Sequence, residues 1–162
     1  MLHGLWPQYQ KGWPQDCPID RPPFVPEPLI NDMLDIMPAR QLIIHEYKKH
    51  GTCSGLTPDG YFDLARKLFS SLKIPARFQN PTDIQTVSPD ELIGDFLKSN
   101  PDLKPNMIAV SCDRGGDSQL KEVHICMSRE GKPMACGRNE VQRRMCDAAI
   151  MAVPPVRTSA AN

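Results

Sequence analysis

The sequence predicts an α+β fold in which helices pack against an antiparallel sheet and disulfides brace the structure. Three observations carry this expectation. Apolar residues recur at helical spacing in three segments before residue 100, and beyond Pro105 the pattern changes to period two. Six cysteines stand at positions 17, 53, 112, 126, 136 and 146, an even number with no CxxC pair. That usage favours three disulfides and an oxidising compartment over a zinc ribbon or a redox pair. A length of 162 residues suits a single domain, placed at 1–153, with a disordered tail over 154–162.

Eight of the 17 prolines fall within the first 40 residues, so residues 1–28 are expected to be an ordered loop or a set of turns. Leu29 to Met37 then carries apolar residues at helical spacing and stops before Pro38. Leu42, Ile43 and Ile44 lead into a polar stretch ending at Gly51 that reads equally as strand or helix. Thr57-Pro58 caps a helix through Lys73, whose stripe of Tyr61, Leu64, Ala65, Leu68, Phe69 and Leu72 is core.

Ser88-Pro89-Asp90-Glu91 is a capping box opening a helix closed by Asn100-Pro101. Met107 to Cys112 and Leu120 to Met127 read as two strands, joined by the turn-rich segment Asp113 to Ser118.

Charge and hydropathy exclude several functions. With 19 basic and 19 acidic side chains the chain is neither a polybasic coat nor an acidic tail, so a polyanion must be met through a local patch. The longest apolar run, Ala148 to Val153, is too short to span a bilayer, and no membrane partner is expected. Met1 and Leu2 run directly into His3-Gly4-Leu5-Trp6-Pro7 without the basic and apolar regions of a signal peptide. Because an oxidised protein needs export, the expectation is a secreted or periplasmic protein whose chain is incomplete at its start.

Three of the four histidines fall in two short segments, HGLWPQ at 3–8 and HEYKKHGTCSG at 45–55, and His124 lies apart on the second C-terminal strand. If residues 45–53 are helical, His45, Glu46, Lys49, His50 and Cys53 share an arc of roughly 140°. Such a face has three readings. A zinc hydrolase is opposed by histidines at i and i+5 rather than i and i+4, and by Lys49 beside the metal. A solvated face with Glu46 and His50 as an i, i+4 pair is the plain structural alternative. The third is acid–base catalysis on an RNA phosphodiester, where one imidazole takes the 2′-OH proton, another protonates the leaving 5′ oxygen and a cation steadies the charge on phosphorus.

These two segments closely resemble the two active-site signatures of the ribonuclease T2 family. The resemblance implies a ribonuclease T2-like fold and a metal-independent endoribonuclease that cleaves single-stranded RNA to 2′,3′-cyclic phosphates and then 3′-phosphates, with no cofactor and no DNA substrate. It implies His3 as general acid, His50 as general base, Glu46 and Lys49 as stabilisers of the pentacoordinate phosphate, and His45 as a holder of the substrate phosphate. Trp6, Gln8 and Tyr9 would line a base pocket, with Trp13 a weaker candidate, and Trp6 is equally readable as a buried scaffold ring. The same resemblance pairs Cys17 with Cys53, Cys112 with Cys146 and Cys126 with Cys136. A monomer is expected. The second functional class consistent with the sequence is a noncatalytic RNA-binding or interaction module on the same scaffold.

Overall fold

Proline density keeps residues 1–26 out of regular structure, and the first helix begins where the prolines reach first-turn positions. The computed structural model describes residues 1–113 and 118–155. Its contacts divide the chain into two compact units, Met1–Leu72 and Lys73–Asn162.

The first unit holds three helices. Helix α1, Glu27–Met33, has Glu27 in its first turn, where a carboxylate opposes the helix dipole, and Glu27 pairs with Arg40 on the surface. It starts two residues before the predicted Leu29 and ends at Met33; Met37 still donates to the Met33 carbonyl at 2.9 Å, but in a turn. Pro38 disfavours helical backbone only at Met37, so it bounds the turn that follows α1 rather than the helix end at Met33.

Helix α2, Arg40–Lys49, resolves the strand-or-helix ambiguity in favour of helix. Ile43, Glu46 and Tyr47, at i, i+3 and i+4, are its buried residues, a set that only the helical period brings to one face. A 3-10 turn over Gly51–Cys53 follows, so Cys53 lies beyond the helix on which the shared arc was drawn.

Helix α3, Pro58–Ser71, is capped by the Thr57 hydroxyl accepting from the Gly60 amide at 3.3 Å. Its buried set is Tyr61, Phe62, Ala65 and Leu68, so Phe62 joins the predicted stripe while Leu64 and Phe69 are only partly buried. Phe62 turns inward because Tyr47, Tyr61 and Phe62 pack edge to face or tilted, with centroids 5.0 to 6.2 Å apart. These three rings, with Val25, Ile30, Met33, Met37 and Ile43, form the core of the unit.

In the second unit the predicted capping box is present in full: the Ser88 hydroxyl accepts from the Glu91 amide, and the Glu91 carboxylate accepts from the Ser88 amide at 2.8 Å. It opens α4, Pro89–Ser99, which Asn100 closes. The Asn100 side chain, in a residue 8% exposed, accepts from the Lys73 amide and donates to the carbonyls of Lys73 and Phe96, all at 2.8 to 2.9 Å. Asn100→Ala strands the Lys73 amide and carbonyl, and a loss of about 1–3 kcal/mol is expected, read as a lower urea midpoint at unchanged m-value.

Strands β2 (Ile108–Cys112) and β3 (Leu120–Ile125) pair antiparallel, with a register shift between Ser111 and Cys112. Their connection, predicted as a turn, lies outside the described residues over 114–117. A second antiparallel pair was not legible in the sequence: β1 (Gln85–Val87) against β4 (Met151–Val153), three residues each. Strands this short show no period of their own.

The one-turn helix α5, Gln142–Met145, brings Gln142 against β2, where its side-chain amide accepts from the Val110 amide and donates to the Val110 carbonyl, imitating a neighbouring strand. Val87, Leu92, Phe96, Ile108, Val110, Met151 and Val153 make this unit's core. All three predicted disulfides are formed, Cys17–Cys53 in the first unit and Cys112–Cys146 and Cys126–Cys136 in the second. The predicted tail lies outside the described residues over 156–162.

Candidate active site

Both histidine signatures lie in the first unit, and the site grows from the way an irregular loop is clamped onto α2. The Tyr61 hydroxyl, reaching from α3, donates to the Leu5 carbonyl at 2.7 Å and accepts from the Leu5 amide at 3.3 Å. The Leu2 amide donates to the Ile36 carbonyl at 2.8 Å. Tyr61 stood in the sequence only as a core residue. Its second role was hidden because an aromatic at a helical core position carries no signal for its hydroxyl partner.

The clamp presses the backbone at Gly4 against Glu46. A Cβ at residue 4 would overlap the Glu46 carboxylate and stand 2.8 Å from Trp6 Nε1, so only glycine permits the approach. Trp6 Nε1 donates to Glu46 Oε2 at 2.6 Å, and His3 Nε2 lies 3.6 Å from Glu46 Oε1. The Trp6 ring stands 5.2 Å from His3 and 5.5 Å from His50, centroid to centroid. Glu46 therefore belongs to the loop contacts rather than to a solvated i, i+4 pair with His50, and at 1% exposure the carboxylate is not on a solvated face at all. Trp6 acts here as a ring that joins His3, Glu46 and His50.

Burial pushes the Glu46 carboxyl above its ordinary range, against the lowering effect of the Trp6 hydrogen bond and of His3, His45 and Lys49 nearby. His50 moves the opposite way, down to about 4, first through burial and then through the charges of Lys49, His45 and His3, opposed only by Asp16. Its Nδ1 is buried without a hydrogen-bond partner among the described residues. Burial and the neighbouring charges thus favour the uncharged imidazole form of His50.

The ring resonances of His50 are expected to titrate near 4 by NMR, and in Lys49→Met the midpoint should move up toward 6.5, the ordinary histidine value. The unfolded chain takes up this proton near 6.5, so the group weakens the fold progressively as pH falls from about 6.5 to about 4.

The remaining predicted residues surround this core unevenly. His45 is exposed and Lys49 half-buried, and both act on His50 and Glu46 through their charge. Gln8 and Tyr9 are exposed, in a turn closed by the Tyr9 amide donating to the Gly12 carbonyl at 3.0 Å, and Trp13 is exposed as well. His124 sits in the second unit between Glu122, at 3.0 Å, and Glu140, at 3.9 Å, as a packed histidine. The described residues contain no group of three or more His, Cys, Asp or Glu side chains placed to hold a metal ion.

Comparison with known proteins gives this geometry its context. The model of the Ribonuclease T2 family matches residues 1–136. The chain belongs to the ribonuclease T2 family. A ribonuclease of Aeromonas hydrophila is 31% identical over 148 residues, which cover 89% of this chain and 65% of that protein. A probable ribonuclease of Haemophilus influenzae is likewise 31% identical, over 84% of this chain and 46% of its own length. This T2 chain therefore spans about half to two thirds of the length of these relatives.

Among solved structures, RNase NT in complex with 5′-AMP aligns at a TM-score of 0.67 and 22% identity, covering 96% of this chain and 82% of that one. Ribonuclease MC1 from bitter gourd seeds aligns at 0.66 and 21%, covering 92% and 82%. These neighbours establish a T2-like α+β fold.

Proposed function

We propose that this T2 chain carries the catalytic centre of a metal-independent endoribonuclease that cleaves single-stranded RNA by transesterification. The observation that carries the reading is the pairing of a neutral His50 with His3 around the Trp6 ring and the buried Glu46 carboxyl. His50 takes the proton of the 2′-OH, and the oxygen so freed attacks the adjacent phosphorus. His3 delivers a proton to the departing 5′ oxygen, leaving a 2′,3′-cyclic phosphate and a free 5′-OH. Lys49 and Glu46 steady the charge and the hydrogen bonds of the five-coordinate phosphorus, and His45 holds a phosphate oxygen.

Reversing the two proton roles lets water open the cyclic product to a 3′-phosphate. Gln8 and Tyr9, exposed on the turn after Trp6, offer an amide and an aromatic face to an unpaired base. The three disulfides support an extracytoplasmic site of action, and the reading takes the protein as a monomer.

Incubation with single-stranded RNA and with DNA of the same sequence, each with excess chelator, tests this reading. RNA is expected to be cut to fragments ending in cyclic phosphate, identified by mass, with DNA left intact because it lacks the nucleophile. Absence of RNA turnover, cleavage of DNA, or loss of activity to the chelator alone would overturn it.

A further inference from the structure

A concave feature lies beside the catalytic segment, within the same unit. Downstream of the first signature the chain runs back across the end of α2: the Asp16 amide donates to the Lys49 carbonyl at 2.8 Å, and Cys17 is bonded to Cys53. Asp16 is one of two non-glycine residues with positive φ among the described residues, at 49°, and the loop that follows it shares a lining with Lys48 and Thr52. The result is an open groove of about 420 Å³. Its lining is chemically mixed. Lys48 and Arg21 contribute cations, Asp16 and Asp20 carboxylates, and Pro18 and Ile19 an apolar wall.

None of the acid–base steps uses Lys48 or Arg21, and neither head group belongs to an ion pair among the described residues. Lys48 is adjacent in sequence to Lys49, but the turn of about 100° per residue directs it to this side of α2. A ligand that satisfies the whole lining needs an acceptor-only anion for the two cations, a donor edge for the carboxylates and a flat apolar face for the wall. A nucleotide has all three: a phosphate, a base edge bearing amino or imino hydrogens, and a stacking face. Bare phosphate would leave two carboxylates beside it, and a bare cation would face Lys48 and Arg21.

We propose that this groove holds a nucleotide of the RNA chain outside the scissile linkage, with Lys48 and Arg21 on its phosphate and Asp16 or Asp20 on its base. The proposal rests on the ribonuclease reading for its substrate but not for its test. The wild-type protein and the double variant Lys48→Gln/Arg21→Gln are compared for binding of a fluorescent, uncleavable 2′-deoxy oligonucleotide of eight residues and of a dinucleoside monophosphate, which has no phosphate to spare for the groove.

The variant is expected to bind the octamer several-fold more weakly and the dinucleotide unchanged, with the slope of log Kd against log salt shallower by about 0.7 for the octamer. Where RNA is cleaved, KM for long substrate rises in step and kcat stays. Equal octamer affinity in both proteins, or equal weakening toward both ligands, overturns the groove. Failure of RNA cleavage with the octamer result intact overturns the ribonuclease reading alone.

Discussion

Replacing His50 with alanine is expected to lower kcat/KM on single-stranded RNA by about 10²- to 10⁴-fold, the range over which a positioned general base contributes. The residue is 7% exposed, so a folding defect must be separated from a chemical one. Added imidazole provides the separation. A missing proton acceptor is partly replaced by imidazole diffusing into the cavity, whereas a collapsed site is not. His3, with its side chain 49% exposed, is the companion case: His3→Ala removes little packing and should cost a similar factor.

The two losses are also expected to differ with leaving group. On a ribonucleoside 3′-phosphodiester whose leaving group is a nitrophenolate, which departs without protonation, the His3→Ala deficit should shrink toward none while the His50→Ala deficit remains. Equal deficits on both substrates would show that the acid and base roles are wrongly assigned, and full activity of both variants would remove the catalytic reading altogether.

Gly4→Ala is expected to cost about 100-fold in kcat, on the scale of a 1 Å misplacement in an active site, through a single methyl group that touches no substrate. The added Cβ occupies the position of the Glu46 carboxylate, which cannot retreat because it is buried and held by Trp6 Nε1. Displacing it breaks the Trp6 hydrogen bond and moves the group that His3 faces. Two readouts identify this route. The Trp6 indole N–H, shifted in the NMR spectrum by a bond to a carboxyl, should move toward an ordinary value. In a Glu46→Gln background, adding Gly4→Ala should cause little further loss. A wild-type kcat in Gly4→Ala would mean that the loop slides to accept the methyl and that the contact has no catalytic weight.

The extent to which the fold was readable follows from the length over which each pattern repeats. Helix α4 announced itself through a four-residue capping box, a local hydrogen-bond device that depends on no distant partner. The two longest strands among the described residues, β2 and β3, showed through the change to period two beyond Pro105, in the order in which they pair. Strands β1 and β4 did not, because three residues fit any period and their pairing joins positions more than sixty residues apart. Helix α2 stayed ambiguous for a related reason: its buried polar member, Glu46, breaks the apolar stripe by which a helix is recognised, and only the loop that covers it explains its burial.

For the site, the linear order of residues specifies which side chains are available: two signatures with three histidines, a glutamate and two lysines, and six cysteines whose pairing followed from family resemblance. It also specifies that residues 45–50 carry two of those histidines, the glutamate and Lys49 at a spacing which a helix gathers. The state each group is in comes first from burial, which packing decides. His3 and Glu46 are 43 positions apart and meet because Tyr61 clamps Leu5 and Gly4 has no side chain. Burial and the surrounding cations drive His50 to its neutral form while burial lifts Glu46 toward its protonated one. Protonation follows desolvation and the distances between charges, which arise only once separate stretches of chain are packed together, and no linear order of residues encodes them directly.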